Sequence, residues 1–92
     1  MSLPETHENR LKRLRLRSWR RGMKEMDLIL GRFADRELAA MGEGELAVYE
    51  ALLAENDQDL YLWVTGARTA PDGLALLVAR IGTAAHGQFG DL

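Results

Sequence analysis

The chain contains no cysteine. That absence removes a disulfide framework, a thiolate metal site and a cysteine nucleophile together. Histidine is almost as scarce: His7 and His86 stand near opposite ends, and neither has a neighbour that would complete a catalytic dyad. Ser2 and Ser18 are the only serines. No glycine pattern resembles a phosphate-binding loop. The carboxylate cluster ENDQD, Glu55 to Asp59, lacks the ligand ladder and distal glutamate of a calcium loop. It reads instead as a helix end running into the N-cap of the next helix. With this inventory the chain is not expected to be an enzyme, and no metal site is expected.

Long apolar runs are missing too. A bilayer-spanning helix needs ~20 apolar residues, and the longest run, Leu74 to Ala79, has six. The opening residues, MSLPETHEN, lack a basic segment followed by an apolar one, so they do not read as a secretory signal. Glu5 and Glu8 argue against a mitochondrial presequence. Bacterial cytoplasm is the expected location, without insertion into a membrane.

What is present suits one small domain. The 92 residues are 47% hydrophobic, enough for a folded core but with little room for a deep cleft. Residues 9–86 are expected to form that domain, between a flexible N-terminus at 1–8 and a flexible tail at 87–92. A monomer is the expected state.

The net charge of −2 conceals a division. Arg10 to Lys24 holds eight basic residues and no acidic one, whereas Glu25 to Asp59 holds ten acidic residues against Arg32 and Arg36. A basic face and an acidic face follow.

Between glycine and proline breaks the chain has helical period. A first helix is expected over Glu8 to Ser18, with Leu11 and Leu14 inward. A second runs from Gly22 to Met41 on Met23, Met26, Leu30, Phe33 and Met41, widened by Ala34 and Leu38. Gly31 interrupts it and invites close approach of another helix. In RRGMKE, Gly22 reads as an N-cap with Glu25 at the third helical position, reaching back to free N–H groups. Arg21 and Glu25 are spaced to pair. A third helix follows MGEG, with Leu46, Tyr49, Leu52 and Leu53 on one face and Glu43 and Glu45 in its first turn. A fourth spans Asp57 to Thr65, with Asp57 as N-cap, Gly66 as its stop and Trp63 most simply in the core. A fifth follows Pro71 on Leu74, Leu77, Val78, Ile81 and Ala85 and ends at Gly87. The fold class is all-α, a compact five-helix bundle.

The segment RSWRRGMKEMD, Arg17 to Asp27, is open to three readings. It suits a solvated helix face. It suits nucleic acid, since its cations can neutralise phosphates and Trp19 can stack on a base. It also suits docking on an acidic protein. An acidic chain overall speaks against nucleic acid, because domains that bind it are usually basic throughout.

RSWRRGMKEMDLILGRFA, with VYEALLAENDQDLYLWVTG after it, resembles the succinate dehydrogenase assembly factor 2 family. The R-G-x-x-E motif is Arg21, Gly22 and Glu25, with Met23 and Lys24 between. A D-x-D-L-x-x-W segment is Asp57, Asp59, Leu60 and Trp63. The resemblance spans roughly Arg10 to Ile81. The glycines of MGEGEL stand where relatives often carry a serine–aspartate cap, a change expected to weaken that cap and leave function intact.

The resemblance implies a five-helix bundle that binds the flavoprotein subunit of succinate dehydrogenase. It implies that the bound protein promotes covalent attachment of FAD to a histidine of that subunit. Some bacterial members also serve fumarate reductase. The implied partner-binding residues are Arg21, Gly22 and Glu25, joined by Arg17, Arg20, Met23 and Asp27. No tightly bound cofactor is expected, since the FAD acted on belongs to the partner. A small nucleic-acid-binding or regulatory module using residues 10–24 is the competing reading.

Overall fold

In the computed structural model, which describes residues 4–89, the chain begins with helix α1, His7–Trp19. Thr6 caps it by accepting a hydrogen bond from the Asn9 N–H at 3.1 Å. Leu11, Leu14 and Ser18 face inward at three- and four-residue steps. Helix α2, Lys24–Glu37, buries Met26, Ile29, Leu30, Phe33 and Ala34. Helix α3 is Glu43–Leu53, α4 is Asp57–Val64 and α5 is Ala75–Phe89. The described residues form an all-α bundle of five α-helices without a strand.

α2 is the central element, touching α1, α4 and α5. The core runs through the bundle from Leu14 past Leu30, Leu46 and Leu52 to Leu60 and Ile81, each fully or almost fully buried. The apolar stripe expected for the fifth helix is buried at all five positions. Met26 and Met41 fill the core, and Met23 and the half-buried Trp63 pack against it.

Several expected boundaries move. α2 does not run from Gly22 to Met41. It starts at Lys24 after an N-cap at Met23, and past Glu37 the chain tightens into a 3₁₀ turn, Leu38–Ala40. The tighter turn brings both Leu38 and Met41 into the core before Gly42 redirects the chain. The N-cap of α4 is Asn56, not Asp57: its side chain accepts from the Asp59 N–H at 2.9 Å. A 3₁₀ turn, Asp72–Leu74, separates Pro71 from α5. α5 passes Gly87 and reaches Phe89, while the end of the expected flexible tail, 90–92, and residues 1–3 of the flexible N-terminus lie outside the described residues. Gly66 does stop α4, in the left-handed region at φ 82°. At the head of α3 the Glu45 carboxylate reaches back to the Gly42 N–H at 3.4 Å, so the glycine cap keeps one partner.

One buried polar pair ties three helices together. The Tyr49 hydroxyl on α3 lies 2.6 Å from Ser18 Oγ on α1 and 3.4 Å from the Leu30 carbonyl on α2. Ser18 also donates to the Leu14 carbonyl at 2.8 Å. Burial pushes the Tyr49 phenol up to about 12 from its usual 10.0, against the opposing influence of the Ser18 hydrogen bond. A phenol with a raised folded-state pKa stabilises the fold fully below its unfolded value. That stability is lost as pH rises from 10 through 12. The loss attributable to Tyr49 is about 2–3 kcal/mol. Melting temperatures across this range should therefore fall more steeply for the wild type than for Tyr49→Phe. Parallel slopes would mean that the phenol is not the titrating group.

Candidate functional site

The turn between α1 and α2 is built around one arginine. After Trp19 the chain leaves helical geometry at Arg20, and Gly22 takes φ +97°. A side chain there is strained for any L-residue, and glycine is the residue that adopts the angle freely. Arg21, just before it, turns its guanidinium into the protein. Nε donates to Asp57 Oδ1 at 2.7 Å, while the two terminal nitrogens donate to the carbonyls of Leu53 and Glu55, each at 2.7 Å. The Arg21 side chain is only 10% exposed and that of Asp57 16%. The backbone N–H of Arg21 donates to the Asp27 carboxylate in the first turn of α2.

This arrangement has a local logic. The last carbonyls of a helix have no partner within it, and the C-terminal end of a helix carries partial negative charge. Arg21 supplies donors and a positive charge at the end of α3. Its planar fork satisfies two carbonyls and a carboxylate together, which a lysine could not do. Asn56 takes the N-cap role and so leaves the Asp57 carboxylate available to Arg21. The turn carrying Gly22 is thus fastened to the α3–α4 junction.

The expected local bonds are replaced by these longer ones. Gly22 is not the N-cap, because the residue preceding α2 must be extended, and Met23 is. No side-chain cap bond forms at that end, so Glu25 does not close a box with Gly22. Arg21 pairs with Asp57 across 36 positions rather than with Glu25. The motif residues accordingly separate into two groups. Arg21 and Asp27 hold the turn together. Gly22, Lys24 and Glu25 are exposed, and Met23 is half-buried beside them. Gly22, Met23, Asn56, Asp57 and Gln58 line a shallow depression of about 430 Å³ on this side of the bundle.

The other cations divide in the same way. Arg13 forks onto Glu5 at 2.7 and 2.9 Å and reaches Glu50 at 3.1 Å. Arg10 meets Glu43 at 2.7 Å, and Lys12 meets Glu8 at 3.5 Å. The Arg13 hydrogen bonds hold the carboxyls of Glu5 and Glu50 below the usual range, and the same two contacts push the Arg13 guanidinium further up. Half of the basic run is therefore matched by the chain's own carboxylates. Arg15, Arg20 and Lys24 make no hydrogen bond or ion pair among the described residues. Arg17 is half-buried on the side of α1 nearer Glu50, to which its charge contributes. Among the described residues no cluster of histidine and carboxylate groups has the form of a metal site, and no helix is long and apolar enough to cross a membrane.

Two contributors escaped the sequence reading. Asp57 carried a signal, since Asn56 just before it is an equally good cap and frees it for another role. The Ser18–Tyr49 pair, 31 residues apart, carried none.

Similarity to known proteins extends over most of the chain. The family profile described as flavinator of succinate dehydrogenase matches residues 12–85. The mitochondrial succinate dehydrogenase assembly factor 2 of Meyerozyma guilliermondii is 43% identical over 61 residues, covering 66% of this chain and 45% of the relative. That of Drosophila grimshawi is 42% identical over 64 residues, covering 67% and 44%. The FAD assembly factor of Legionella pneumophila is 41% identical over 59 residues, covering 64% of this chain and 75% of the relative. The match spans less than half the length of the two mitochondrial relatives.

Proposed function

Because the chain belongs to the family of flavinators of succinate dehydrogenase, we propose that it binds the flavoprotein subunit of that enzyme and promotes covalent attachment of FAD to it. The flavoprotein of fumarate reductase is a further substrate of the same activity. The observation that carries the reading is the Arg21–Gly22 turn. The R-G-x-x-E segment coincides with a positive-φ glycine turn fastened by Arg21 to the α3–α4 junction.

The chemistry divides between the two proteins. The acceptor histidine and the flavin belong to the partner. This chain contributes a rigid surface that holds the flavoprotein in a conformation where the two groups meet. Fixing reacting groups in an attack geometry lowers a barrier without any nucleophile from the protein that does the fixing. Gly22 lets the partner's surface come close to the turn backbone, since no side chain stands there. Glu25 and Lys24 offer charges of both signs beside it, and Arg17 and Arg20 extend the surface along the end of α1. Met23 supplies an adaptable apolar contact at the rim. Arg21 and Asp27 act by shaping the turn.

Co-purification with an apo flavoprotein subunit tests the binding half of this reading. The wild-type chain is expected to be retained. Glu25→Ala should weaken retention with no change in melting temperature, because Glu25 is exposed and makes no cap bond. Retention of neither protein would overturn the reading. Equal retention of both would remove Glu25 from the interface.

A further inference from the structure

The exposed face of α1 has a composition that the motif does not explain. Lys12, Arg15, Leu16 and Trp19 recur at the spacing of one helix face. Leu16 is 50% exposed and Trp19 36%, and at three-residue spacing they form one exposed apolar pair, which is more informative than either residue alone. Arg15 and Arg20 flank them and have no ion-pair or hydrogen-bond partner among the described residues, while the Asp35 carboxylate is taken up by the Trp19 indole and Glu8 is engaged with Lys12. The result is an apolar centre with a predominantly positive rim.

Trp19 is also held in place. A Cβ on Gly31 would lie 2.2 Å from its ring, so the indole rests directly on the α2 backbone where only glycine permits it. Its Nε1–H points between the two Asp35 carboxylate oxygens, 3.3 Å from each. An aromatic side chain fixed before binding loses little conformational freedom on binding, which is the property of an interface anchor. This face is continuous with the motif turn, since Gly22 follows Trp19 by three residues.

We propose that the Arg15, Leu16, Trp19 and Arg20 face of α1 is a second docking element, which receives an acidic segment of the flavoprotein subunit with an apolar side chain at its centre. The proposal rests on the functional reading above and adds a site outside the motif. Charge selects the occupant: an unmatched positive rim favours carboxylates, and the fixed indole and Leu16 supply the apolar contact. Both halves are needed, because rim charges mainly govern encounter and orientation whereas buried anchors govern dissociation.

Isothermal titration against the purified apo flavoprotein subunit tests it with three variants. Leu16→Glu and Arg15→Glu alter exposed or half-exposed positions that hold nothing in the core, and thermal melts establish that they remain folded. Each is expected to weaken binding about tenfold or more, and the wild-type affinity should fall as salt is raised. Gly22→Arg serves as the motif control. Binding of both α1 variants within about twofold of wild type, while Gly22→Arg fails to bind, would overturn this proposal and leave the functional reading standing. No binding by the wild type would overturn both. The same titration with a single-stranded DNA oligonucleotide at physiological salt is expected to give no heat. Tighter binding to the oligonucleotide than to the flavoprotein would assign the face to nucleic acid and overturn the proposal.

Discussion

Arg21→Ala is expected to destabilise the fold by about 2–4 kcal/mol, a drop of roughly 10–25 °C in melting temperature for a domain of this size. The cost lies in what the substitution leaves behind. Three charge-assisted hydrogen bonds disappear together, and Asp57 loses its cation while only 16% exposed. The carbonyls of Leu53 and Glu55 lose their Arg21 donors at the end of α3. Replacing the arginine alone is worse than replacing the pair, because a part-buried carboxylate without a partner costs more than the pair contributes. Arg21→Ala combined with Asp57→Ala should therefore recover part of the loss, and Arg21→Lys should recover little, since the three donors of an ammonium radiate from one nitrogen and cannot span acceptors served here by three separate nitrogens. Circular dichroism melts of the four proteins decide it. A melting temperature for Arg21→Ala within about 3 °C of wild type would mean that the junction is not fastened by Arg21. A melt that shows this loss identifies Arg21 as a residue that holds the turn.

Gly22→Arg should act in the opposite sense, with a small effect on stability and a large one on function. At φ +97° a side chain costs about 1–2 kcal/mol. The new Cβ itself meets nothing closer than Asp57 Oδ2 at 3.9 Å, so no clash adds to that strain. The bundle therefore stays folded. The introduced guanidinium projects from the exposed side of the turn, where it blocks close approach of another surface and competes with Arg21 for Asp57. Gly22→Asn provides the comparison, since asparagine tolerates the left-handed region better than other residues. Asparagine is expected to retain most binding, whereas arginine abolishes it at nearly equal stability. If both variants lose stability and binding in parallel, the glycine matters for its backbone angle alone and not for a bare surface.

The two variants show where the sequence was legible. Helix number and inward faces followed from period, because burying apolar surface is the dominant force and leaves a regular mark. Leu74, Leu77, Val78, Ile81 and Ala85 all lie inward as their spacing required. Gly31 signalled a close approach, and the object that approaches is Trp19. The motif was visible as a string of residues, but its internal wiring was not. A local cap between Gly22 and Glu25 and a local pair between Arg21 and Glu25 were each plausible from short-range rules. Both gave way to contacts made across 32 to 36 positions, since one part-buried fork on Asp57, Leu53 and Glu55 outweighs two exposed bonds. Likewise, nothing in Ser18 alone announces that it faces Tyr49 inside the core. The basic run illustrates the same limit: charge along the chain did not reveal that Arg10, Lys12 and Arg13 are matched by Glu43, Glu8, Glu5 and Glu50 while Arg15 and Arg20 have no such partner among the described residues.

The most direct test of the central claim is covalent flavin. A succinate dehydrogenase flavoprotein subunit is expressed in cells lacking their own assembly factor, with this chain, without it, and with Gly22→Arg or Gly22→Asn. Flavin fluorescence is then read in a denaturing gel, where only covalently held flavin remains with the subunit. The expected result is a fluorescent band that requires this chain, persists with Gly22→Asn and disappears with Gly22→Arg. Equal fluorescence in every lane would contradict the account.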